Sequence, residues 1–279
     1  MVERTSGKII GPAARYLLLL MLTVVMLGPF LWMISASLQG QGDVFRVPPR
    51  WIPDPPRFSN YREVAERVPF VRFFMNSVKV AGLATLGQVL SCSLAAYAFA
   101  RMKFRGKDVL YVILLATMMI PAQVTMIPSF MIMRFLGWID THYALIVPAF
   151  FGGAFGTFLL RQFFMTIPQE LEDAARIDGA GKFRIYWQVI LPLSKPALAT
   201  LGLFTFMAYW GDLLGPVIYL SSAEKMTLTV GLANLQAGAM ATRYDLLMAG
   251  ALVSIVPMLV LFVFAQKWFV RGITMTGMK

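Results

Sequence analysis

The stretch PQELEDAARIDGAGKFRIYWQVILPLSKP, residues 168–196, is the longest polar interruption in the second half of a very apolar chain. It predicts two short helices that meet at a glycine break. Acidic residues fall in the first turn, where the helix dipole favours negative charge. Gly179 permits the left-handed backbone conformation that ends many helices. Residues 168–196 therefore predict a structured hairpin that can dock against a partner.

The residue spacing within this hairpin predicts particular local contacts. Thr166 and Gln169 have the spacing of a capping box, in which each side chain satisfies the other's free backbone donor. Glu172 and Arg176 lie four positions apart and are expected to pair along one helix face. The second segment places apolar and aromatic residues at helical spacing and has two prolines after them: Phe183, Tyr186, Trp187, Ile190, Pro192 and Pro196. The prolines are expected to end that segment.

Outside the hairpin, the composition is that of an integral membrane protein. Charged residues make up 14% of the chain, whereas soluble domains average roughly 25%. The net charge of +11 could suggest binding to nucleic acid. The basic residues, however, cluster at the ends of apolar runs, which follows the bias of Lys and Arg toward the cytoplasmic side of membranes. We therefore expect contact with membrane lipid and no nucleic acid partner.

Six apolar runs are long enough to cross a bilayer, which takes about 20 residues. The first run is longer than the apolar core of a secretory signal, so we expect it to be an uncleaved transmembrane helix. Loop 101–108 carries four basic residues, which marks it as cytoplasmic, and an even number of spans then places both termini inside. The expected spans, all within one domain of residues 1–279, are 14–38, 71–100, 109–135, 144–165, 197–220 and 245–266.

Prolines and glycines within the spans predict helix breaks and close helix packing. Pro121 and Pro128 are expected to break the third span, as neighbouring helices or a water-filled cavity allow in membrane proteins. Glycines at 152, 153 and 156 permit close helix packing in the fourth. Residues 58–67 are expected to form a short surface helix, and residues 221–244 an outer loop.

No catalytic constellation is found in the sequence. Gly179-Ala-Gly-Lys182 resembles part of a phosphate-binding loop, but that motif needs a glycine at 176 and Ser or Thr at 183. Arg176 and Phe183 stand there instead. The single cysteine, Cys92, excludes an internal disulfide and a multi-cysteine metal site. We therefore expect a chain that is not an enzyme and that holds neither a metal nor ATP.

Asp173-Ala-Ala-Arg-Ile-Asp-Gly179, followed by Ile190-Leu-Pro192, resembles the EAA signature of permease subunits in bacterial binding-protein-dependent ABC importers. The surrounding residues are most similar to the carbohydrate-uptake (MalG-like) family. Two departures are that Asp173 stands where the family more often has Glu, and that the tail ends Thr274-Met-Thr-Gly-Met-Lys279, whereas the family often ends in small residues and glycine. The resemblance covers nearly the whole chain through Asn76-Ser77, Ala95-Ala-Tyr97-Ala, Phe104-Arg-Gly106 and Gly272-Ile-Thr274.

The resemblance implies the type I ABC importer permease fold. This is an all-α integral membrane fold of six transmembrane helices with a cytoplasmic coupling-helix loop, here 166–196, in the bacterial inner membrane. It implies a second permease subunit, a cytoplasmic ATPase dimer that binds ATP and Mg²⁺, and an extracytoplasmic sugar-binding protein. The residues implied to couple to the ATPase are Glu170, Glu172, Asp173, Ala174, Ala175, Arg176, Asp178 and Gly179.

Two further sets of residues are candidates for contacts with substrate and with the binding protein. An intramembrane carboxylate is costly and usually faces a cavity or a partner, and sugars stack on aromatic rings and hydrogen-bond to polar groups. The candidate substrate-path residues are Asn76, Gln123, Tyr209, Trp210 and Asp212. The alternatives are helix–helix hydrogen bonds and, for Asp212, a structural pair with Lys79. The resemblance also implies binding-protein contact for residues that are otherwise a plain connector: Gln236, Ala237, Gly238 and Ala239.

A second class of transporter stays open at this point. An ion-coupled secondary transporter of small polar solutes places ionisable groups near the middle of the membrane and uses broken helices. The expected break in the third span and the carboxylate of Asp212 favour it. The lack of an inverted repeat and the small number of spans oppose it.

Overall fold

A computed structural model of the protein describes residues 12–237 and 243–276, and the regular structure among these residues is helical throughout. This confirms the predicted all-α fold. Short 3₁₀ turns lie at 43–45, 117–119, 147–151 and 223–225, and a π turn lies at 186–190. The α-helices of the described residues are α1 (Pro12–Ser37), α2 (Ser59–Arg67), α3 (Phe70–Arg101), α4 (Lys107–Ala116), α5 (Ala122–Phe135), α6 (Tyr143–Ile146), α7 (Ala154–Thr166), α8 (Glu170–Ile177), α9 (Lys182–Ile185), α10 (Leu191–Leu193), α11 (Lys195–Trp210), α12 (Leu214–Tyr219), α13 (Leu228–Ala237) and α14 (Tyr244–Thr276).

Four helical stretches of the described residues are long and apolar enough to cross a membrane. The number rises to six if each of two bent helix pairs counts as one crossing. The four stretches are Ala14–Ser37, Phe70–Arg101, Tyr143–Thr166 and Tyr244–Phe264. They coincide with the first, second, fourth and sixth predicted spans. The bent pairs are Lys107–Met119 with Ala122–Phe135, at 101°, and Lys182–Leu193 with Lys195–Trp210, at 79°.

The two prolines of the third span behave differently from each other. The helix axis turns at Pro121, and α5 begins at the next residue. Pro128 lies inside α5, which continues to Phe135. The predicted break at Pro128 is therefore wrong, because membrane helices tolerate an internal proline where its lost hydrogen bond is compensated locally.

The fifth predicted span, 197–220, is not one helix. α11 ends at Trp210, so its 16 residues measure about 24 Å, less than a bilayer core requires. The Asp212 carboxylate accepts a hydrogen bond from the amide of Gly215 at 3.2 Å and so caps the start of α12. Pro192 also fails to end the preceding segment, which runs to Leu193. Pro196 instead sits in the first turn of α11, where its missing N–H costs nothing.

The predicted outer loop 221–244 contains a helix, α13. Its first residue, Leu228, is buried, and the Leu228 amide donates a hydrogen bond to the Ser77 hydroxyl at 2.8 Å. Gly231 lies so close to the Phe73 ring that a Cβ there would overlap it. Apolar residues at helical spacing and one small residue against an aromatic ring give this segment a packed face, which a plain connector would lack.

The helices group into two compact units. In the unit formed by residues 1–68 and 232–253, polar side chains tie the end of α1 to α2. Asn60 Nδ2 donates to the carbonyls of Ser37 and Gln39 at 2.8 Å each, and Tyr61 Oη lies 2.9 Å from Ser37 Oγ. α2 itself confirms the helix expected at residues 58–67.

In the unit formed by residues 69–231 and 254–279, α3 packs against α7 and α11. Leu160, Phe164 and Leu201 are fully or almost fully buried at this contact. A Cβ built at Gly156 of α7 would lie 2.7 Å from Cys92 Sγ and 3.0 Å from Leu201 Cδ1. The close packing predicted for the glycines of the fourth span is thus confirmed at Gly156.

Replacing Gly156 by alanine is expected to destabilise the protein by about 1–3 kcal/mol, because the added methyl overpacks a buried three-helix contact. Gly202 of α11 is the matched control, since its Cβ would lie 3.8 Å from Val89, an ordinary distance. Thermal unfolding in detergent should show a lower Tm for Gly156→Ala and a Tm close to wild type for Gly202→Ala. Equal Tm values for the two variants would contradict the packing described here.

The carboxylate of Asp140 joins the turn after α5 to the segment around residues 221–225 in the same unit. Asp140, with φ 56°, lies in the turn after α5, and its Oδ1 accepts hydrogen bonds from the amides of Ser221 and Ser222 at 3.0 and 2.9 Å. Its Oδ2 accepts from the Ser222 hydroxyl and, at 2.9 Å, from Lys225 Nζ. These donors, the Ser222 hydroxyl first, hold the pKa of the Asp140 carboxyl well below its usual range.

This lowered pKa predicts an acid-sensitive contribution to stability. An aspartate whose folded pKa is below its unfolded pKa of about 3.9 stabilises the fold fully at neutral pH and loses that contribution as pH falls below about 4. Asp140→Asn should therefore lower Tm at pH 7 and flatten the fall in Tm between about pH 5 and 3. Parallel Tm curves for variant and wild type across that range would show that Asp140 is not responsible.

Candidate functional site

The hairpin predicted at residues 168–196 extends over residues 168–193 in the structure. It consists of α8, a glycine turn, and the segment α9–α10 with its π turn. α8 carries Glu170, Glu172 and Asp173 in its first turn, next to the positive end of the helix dipole. Gly179 has φ +79°, and its amide donates to the carbonyl of Arg176 at 3.0 Å. The predicted glycine break is therefore confirmed.

The predicted capping box at the start of this hairpin is wrong. Thr166 is the last residue of α7, and its hydroxyl donates to the carbonyl of Phe163 within its own helix, at 2.7 Å. The N-cap of α8 is Gln169, and no side-chain hydrogen bond is made there. Because Gln169 is itself the N-cap of α8, Thr166 and Gln169 do not occupy the N-cap and N3 positions that a capping box needs.

The acidic residues of α8 divide between two faces. Glu172 is 1% exposed, whereas Glu170, Asp173 and Asp178 are exposed. The predicted pair of Glu172 with Arg176 is confirmed, with 3.3 Å between Oε2 and Nη2, and Arg176 Nη1 also lies 2.8 Å from Asp173 Oδ1. Glu172 therefore faces the protein, and the other carboxylates face away from it.

The buried partner of Glu172 comes from α3. Arg101 Nε lies 3.1 Å from Glu172 Oε1, and the Arg101 side chain is 11% exposed. Arg101 Nη2 also donates to the backbone carbonyls of Phe164 and Ile167, at the end of α7. Arg101 is one of the four basic residues by which the sequence marks loop 101–108 as cytoplasmic, and the structure makes it a buried contact among α3, α7 and α8.

The second arm of the hairpin also has two faces. Tyr186 and Ile190 are buried, and Tyr186 Oη lies 2.7 Å from Ser93 Oγ of α3. Phe183 and Trp187 are exposed, although the sequence placed all four on one apolar face. The π turn at 186–190 changes the angular spacing along this arm and separates the two pairs.

The tip of the hairpin exposes an apolar side chain that the sequence reasoning missed. Ile177, the last residue of α8, is 87% exposed, and Leu171 of the same helix is 44% exposed. The candidate coupling residues Ala174, Ala175 and Gly179 lie on the same short helix or its turn, with Ala174 exposed and Ala175 half-buried. The available signal was a branched apolar residue in a polar helix immediately before the glycine turn.

The candidate substrate-path residues lie in different settings. Asn76 Nδ2 donates to the carbonyls of Glu224 and Met226, at 2.9 Å each. Trp210 is buried, and its Nε1 donates to the Ser254 carbonyl at 3.0 Å. Gln123 is exposed on α5, Tyr209 is half-buried on α11, and Asp212 lies in the break between α11 and α12.

The candidate binding-protein contacts fall at the edge of the described chain. Gln236 and Ala237 end α13, and Gly238 and Ala239 lie outside the described residues. Where the description resumes, Arg243 pairs with Glu63 of α2 through two contacts of 2.9 and 3.1 Å and with Asp245 at 2.8 Å. Hydrogen bonding to Arg243 holds the pKa of the Glu63 carboxyl below its usual range.

Comparisons with known proteins place this geometry among transport proteins. Residues 88–275 match the family model described as "Binding-protein-dependent transport system inner membrane component". The chain is 35% identical over 269 residues to the galactooligosaccharides transport system permease protein GanQ of Bacillus subtilis (strain 168), covering 95% of this chain and 94% of that one. It is 34% identical over 247 residues to the sn-glycerol-3-phosphate transport system permease protein UgpE of Yersinia enterocolitica, covering 86% and 87%.

The fold is also similar to a solved structure. A chain from a crystal structure of a bacterial ABC transporter involved in the import of the acidic polysaccharide alginate is 26% identical. The two superpose with a TM-score of 0.82, which covers 96% of this chain and 100% of that one.

Proposed function

The chain belongs to the family of binding-protein-dependent transport system inner membrane components, and on that premise we propose that it is a permease subunit of an ATP-driven importer of sugars. It forms the translocation path together with a second permease subunit. A cytoplasmic ATPase dimer supplies the energy, and an extracytoplasmic binding protein delivers the sugar. The family description and the multi-pass helices agree with a place in the bacterial inner membrane.

The observation that carries the proposal is the two-faced hairpin of residues 168–193. One face is fixed to the membrane helices through buried Glu172, Tyr186 and Ile190. The other exposes Ile177 among charged residues, together with other large apolar side chains. Exposed apolar anchors within a polar rim are typical of a protein-binding surface. The exposed acidic residues oppose binding to anionic lipid headgroups, so an ATPase subunit fits this surface better than the membrane does.

The division of labour follows from what each part of the chain can do. This chain acts as a transport subunit without its own catalytic or ATP-binding site, and the ATPase subunits hold ATP and Mg²⁺. Closure of the ATPase dimer displaces the hairpin, and the hairpin moves the helices to which it is fixed. This is a rigid-body switch between two discrete arrangements. The coupling residues are those of α8 and its turn. Glu172 contacts the membrane helices, and the others face the ATPase.

We propose an orientation in the membrane that the contact between Arg101 and Glu172 supports. This contact lies at the end of α3 where basic loop 101–108 begins, so the loop and α8 are at the same end of α3. The excess of basic residues in that loop supports a cytoplasmic position for both. With six crossings, both termini of the chain then lie in the cytoplasm.

We keep three of the five path candidates for contact with the sugar. Gln123 is exposed, Tyr209 is half-buried, and Asp212 uses one carboxylate oxygen to cap α12. The side chains of Asn76 and Trp210 instead donate hydrogen bonds to backbone carbonyls. We therefore propose that they position the segments that line the path. We also propose that residues 236–239 contact the binding protein, at the end of α13.

The substrate class rests on what the similar proteins are named for, which are galactooligosaccharides, sn-glycerol-3-phosphate and alginate. The test is uptake by the complete importer in proteoliposomes, with ATP inside and binding protein outside. A panel of radiolabelled mono- and oligosaccharides and sn-glycerol-3-phosphate is offered. We expect ATP-dependent uptake of a sugar. Uptake that needs an ion gradient and ignores ATP would instead identify a secondary transporter, the alternative that broken helices and Asp212 would favour.

A further inference from the structure

Two arginines form reciprocal hydrogen bonds between the C-terminal ends of α3 and α7. Arg101, the last residue of α3, donates to the carbonyls of Phe164 and Ile167 at the end of α7. Arg161 of α7 donates from Nε to the carbonyl of Phe99 near the end of α3, at 3.2 Å. Each helix therefore places a cation on the C-terminal carbonyls of the other.

These reciprocal hydrogen bonds have a physical basis in the unpaired carbonyls at helix ends. The last carbonyls of a helix have no partner within the helix, and the helix dipole makes that end attractive to cations. Arg101 is mostly buried, so its charge must be matched within the protein. Arg161 also lies over the Tyr111 ring at 4.3 Å, which adds α4 to the contact. We call the pair of Arg101 and Arg161 with these partners the arginine clasp.

The arginine clasp contacts α8 of the hairpin through the carboxylate of Glu172. Arg101 is the partner of Glu172 on the membrane-helix side, whereas Arg176, the other partner, belongs to α8 itself and is 46% exposed. Two further contacts run in parallel from α3 to the hairpin. Tyr97 Oη donates to the Lys182 carbonyl at 3.2 Å, and Ser93 meets Tyr186 at 2.7 Å. Unlike these two contacts, the Arg101 contact joins α8 to α3 and α7 at once.

We propose that Arg101 is a positioning residue that transmits displacement of α8 to α3 and α7 together. Arg101 Nη2 donates to both α7 carbonyls, while Nε forms an ion pair with Glu172 Oε1 at 3.1 Å. One rigid, planar guanidinium therefore holds α7 and Glu172 in one geometry. A force on α8 therefore moves the ends of both helices as one body. This inference rests on the proposed function, since it concerns how the importer responds to its ATPase.

The test compares Arg101→Gln and Arg101→Lys with wild type in the assembled importer in proteoliposomes. The measured quantities are sugar uptake and ATP hydrolysis with and without loaded binding protein. We expect the amount of sugar carried per ATP to fall about 10-fold or more in Arg101→Gln. Arg101→Lys should recover part of it, because an ammonium keeps the charge but lacks the planar guanidinium that meets the α7 carbonyls and Glu172 from different nitrogens. An unchanged sugar-to-ATP ratio in Arg101→Gln would overturn the inference.

A second set of variants separates transmission from simple folding. Glu172→Gln keeps the size of the side chain and removes its charge. If both residues act through one contact, Arg101→Gln with Glu172→Gln should reduce the sugar-to-ATP ratio no further than either change alone. Additive losses, or a loss explained by reduced Tm and loss of ATPase from the purified complex, would overturn the inference. Absence of ATP-driven uptake in wild type would instead overturn the proposed function, so the two failures are distinguishable.

Discussion

Replacing Gly179 by proline should abolish the stimulation of ATP hydrolysis by the sugar-loaded binding protein. Gly179 adopts φ +79°, which proline cannot reach because its ring fixes φ near −65°. The change also removes the amide that donates to Arg176. The turn must therefore rebuild, and α8 loses its fixed direction relative to α9. Gly179→Ala should show a smaller loss, since a left-handed backbone costs a non-glycine residue about 1–2 kcal/mol.

Gly181 provides the matched control within the same turn. Its φ is −73°, which any residue can adopt, and a Cβ there would meet nothing within 4 Å. Gly181→Ala should therefore keep sugar-stimulated hydrolysis close to wild type. Membrane insertion and copurification of the second permease confirm that the Gly179 variants are assembled. Normal stimulation in assembled Gly179→Pro would count against the hairpin as the coupling element.

Replacing Ile177 by aspartate should detach the ATPase from the permease. A large apolar side chain that is 87% exposed at the tip of the hairpin is the natural anchor of a protein contact. An unpaired carboxylate buried in its place would weaken the contact by about 10-fold or more, roughly 1.4 kcal/mol or above. Copurification of the ATPase with the permease in detergent measures this directly.

Ile177→Leu is the control, because it keeps an apolar side chain of the same size and should retain the ATPase. Its Tm should match wild type, as should that of Ile177→Asp, because so exposed a side chain contributes little to the fold. ATPase that copurifies equally with Ile177→Asp and Ile177→Leu would remove Ile177 from the contact.

Much of the fold was predictable because membrane helices have a strong local signal. Long apolar runs predicted the helices of the first, second, fourth and sixth spans to within a few residues. The orientation indicated by the basic residues at their ends stays a prediction. The hairpin was predictable for a related reason. Acidic residues, small residues and Gly179 have local conformational preferences that the surrounding structure did not override.

The rest depends on contacts between residues far apart in sequence. The burial of Glu172 follows from Arg101, which belongs to another helix and carries no signal that distinguishes it from a solvated basic residue. The break after Trp210 is stabilised by Asp212, whose carboxylate was read as a candidate for substrate. The helix at 228–237 needs the Phe73 ring opposite Gly231. Each outcome is decided by tertiary packing, which propensity and periodicity do not report.

The most direct test of the account is a cross-link between α8 and the ATPase. Cys92 is the only native cysteine, so Cys92→Ser gives a background in which Ile177→Cys is the single thiol. A matched variant, Val47→Cys, places an equally exposed thiol in the segment between α1 and α2, which the proposed orientation puts on the outer side of the membrane. In inner-membrane vesicles treated with a short bifunctional thiol–amine reagent, the account predicts that Ile177→Cys cross-links to the ATPase subunit and Val47→Cys does not. An assembled importer in which Ile177→Cys fails to reach the ATPase would contradict it.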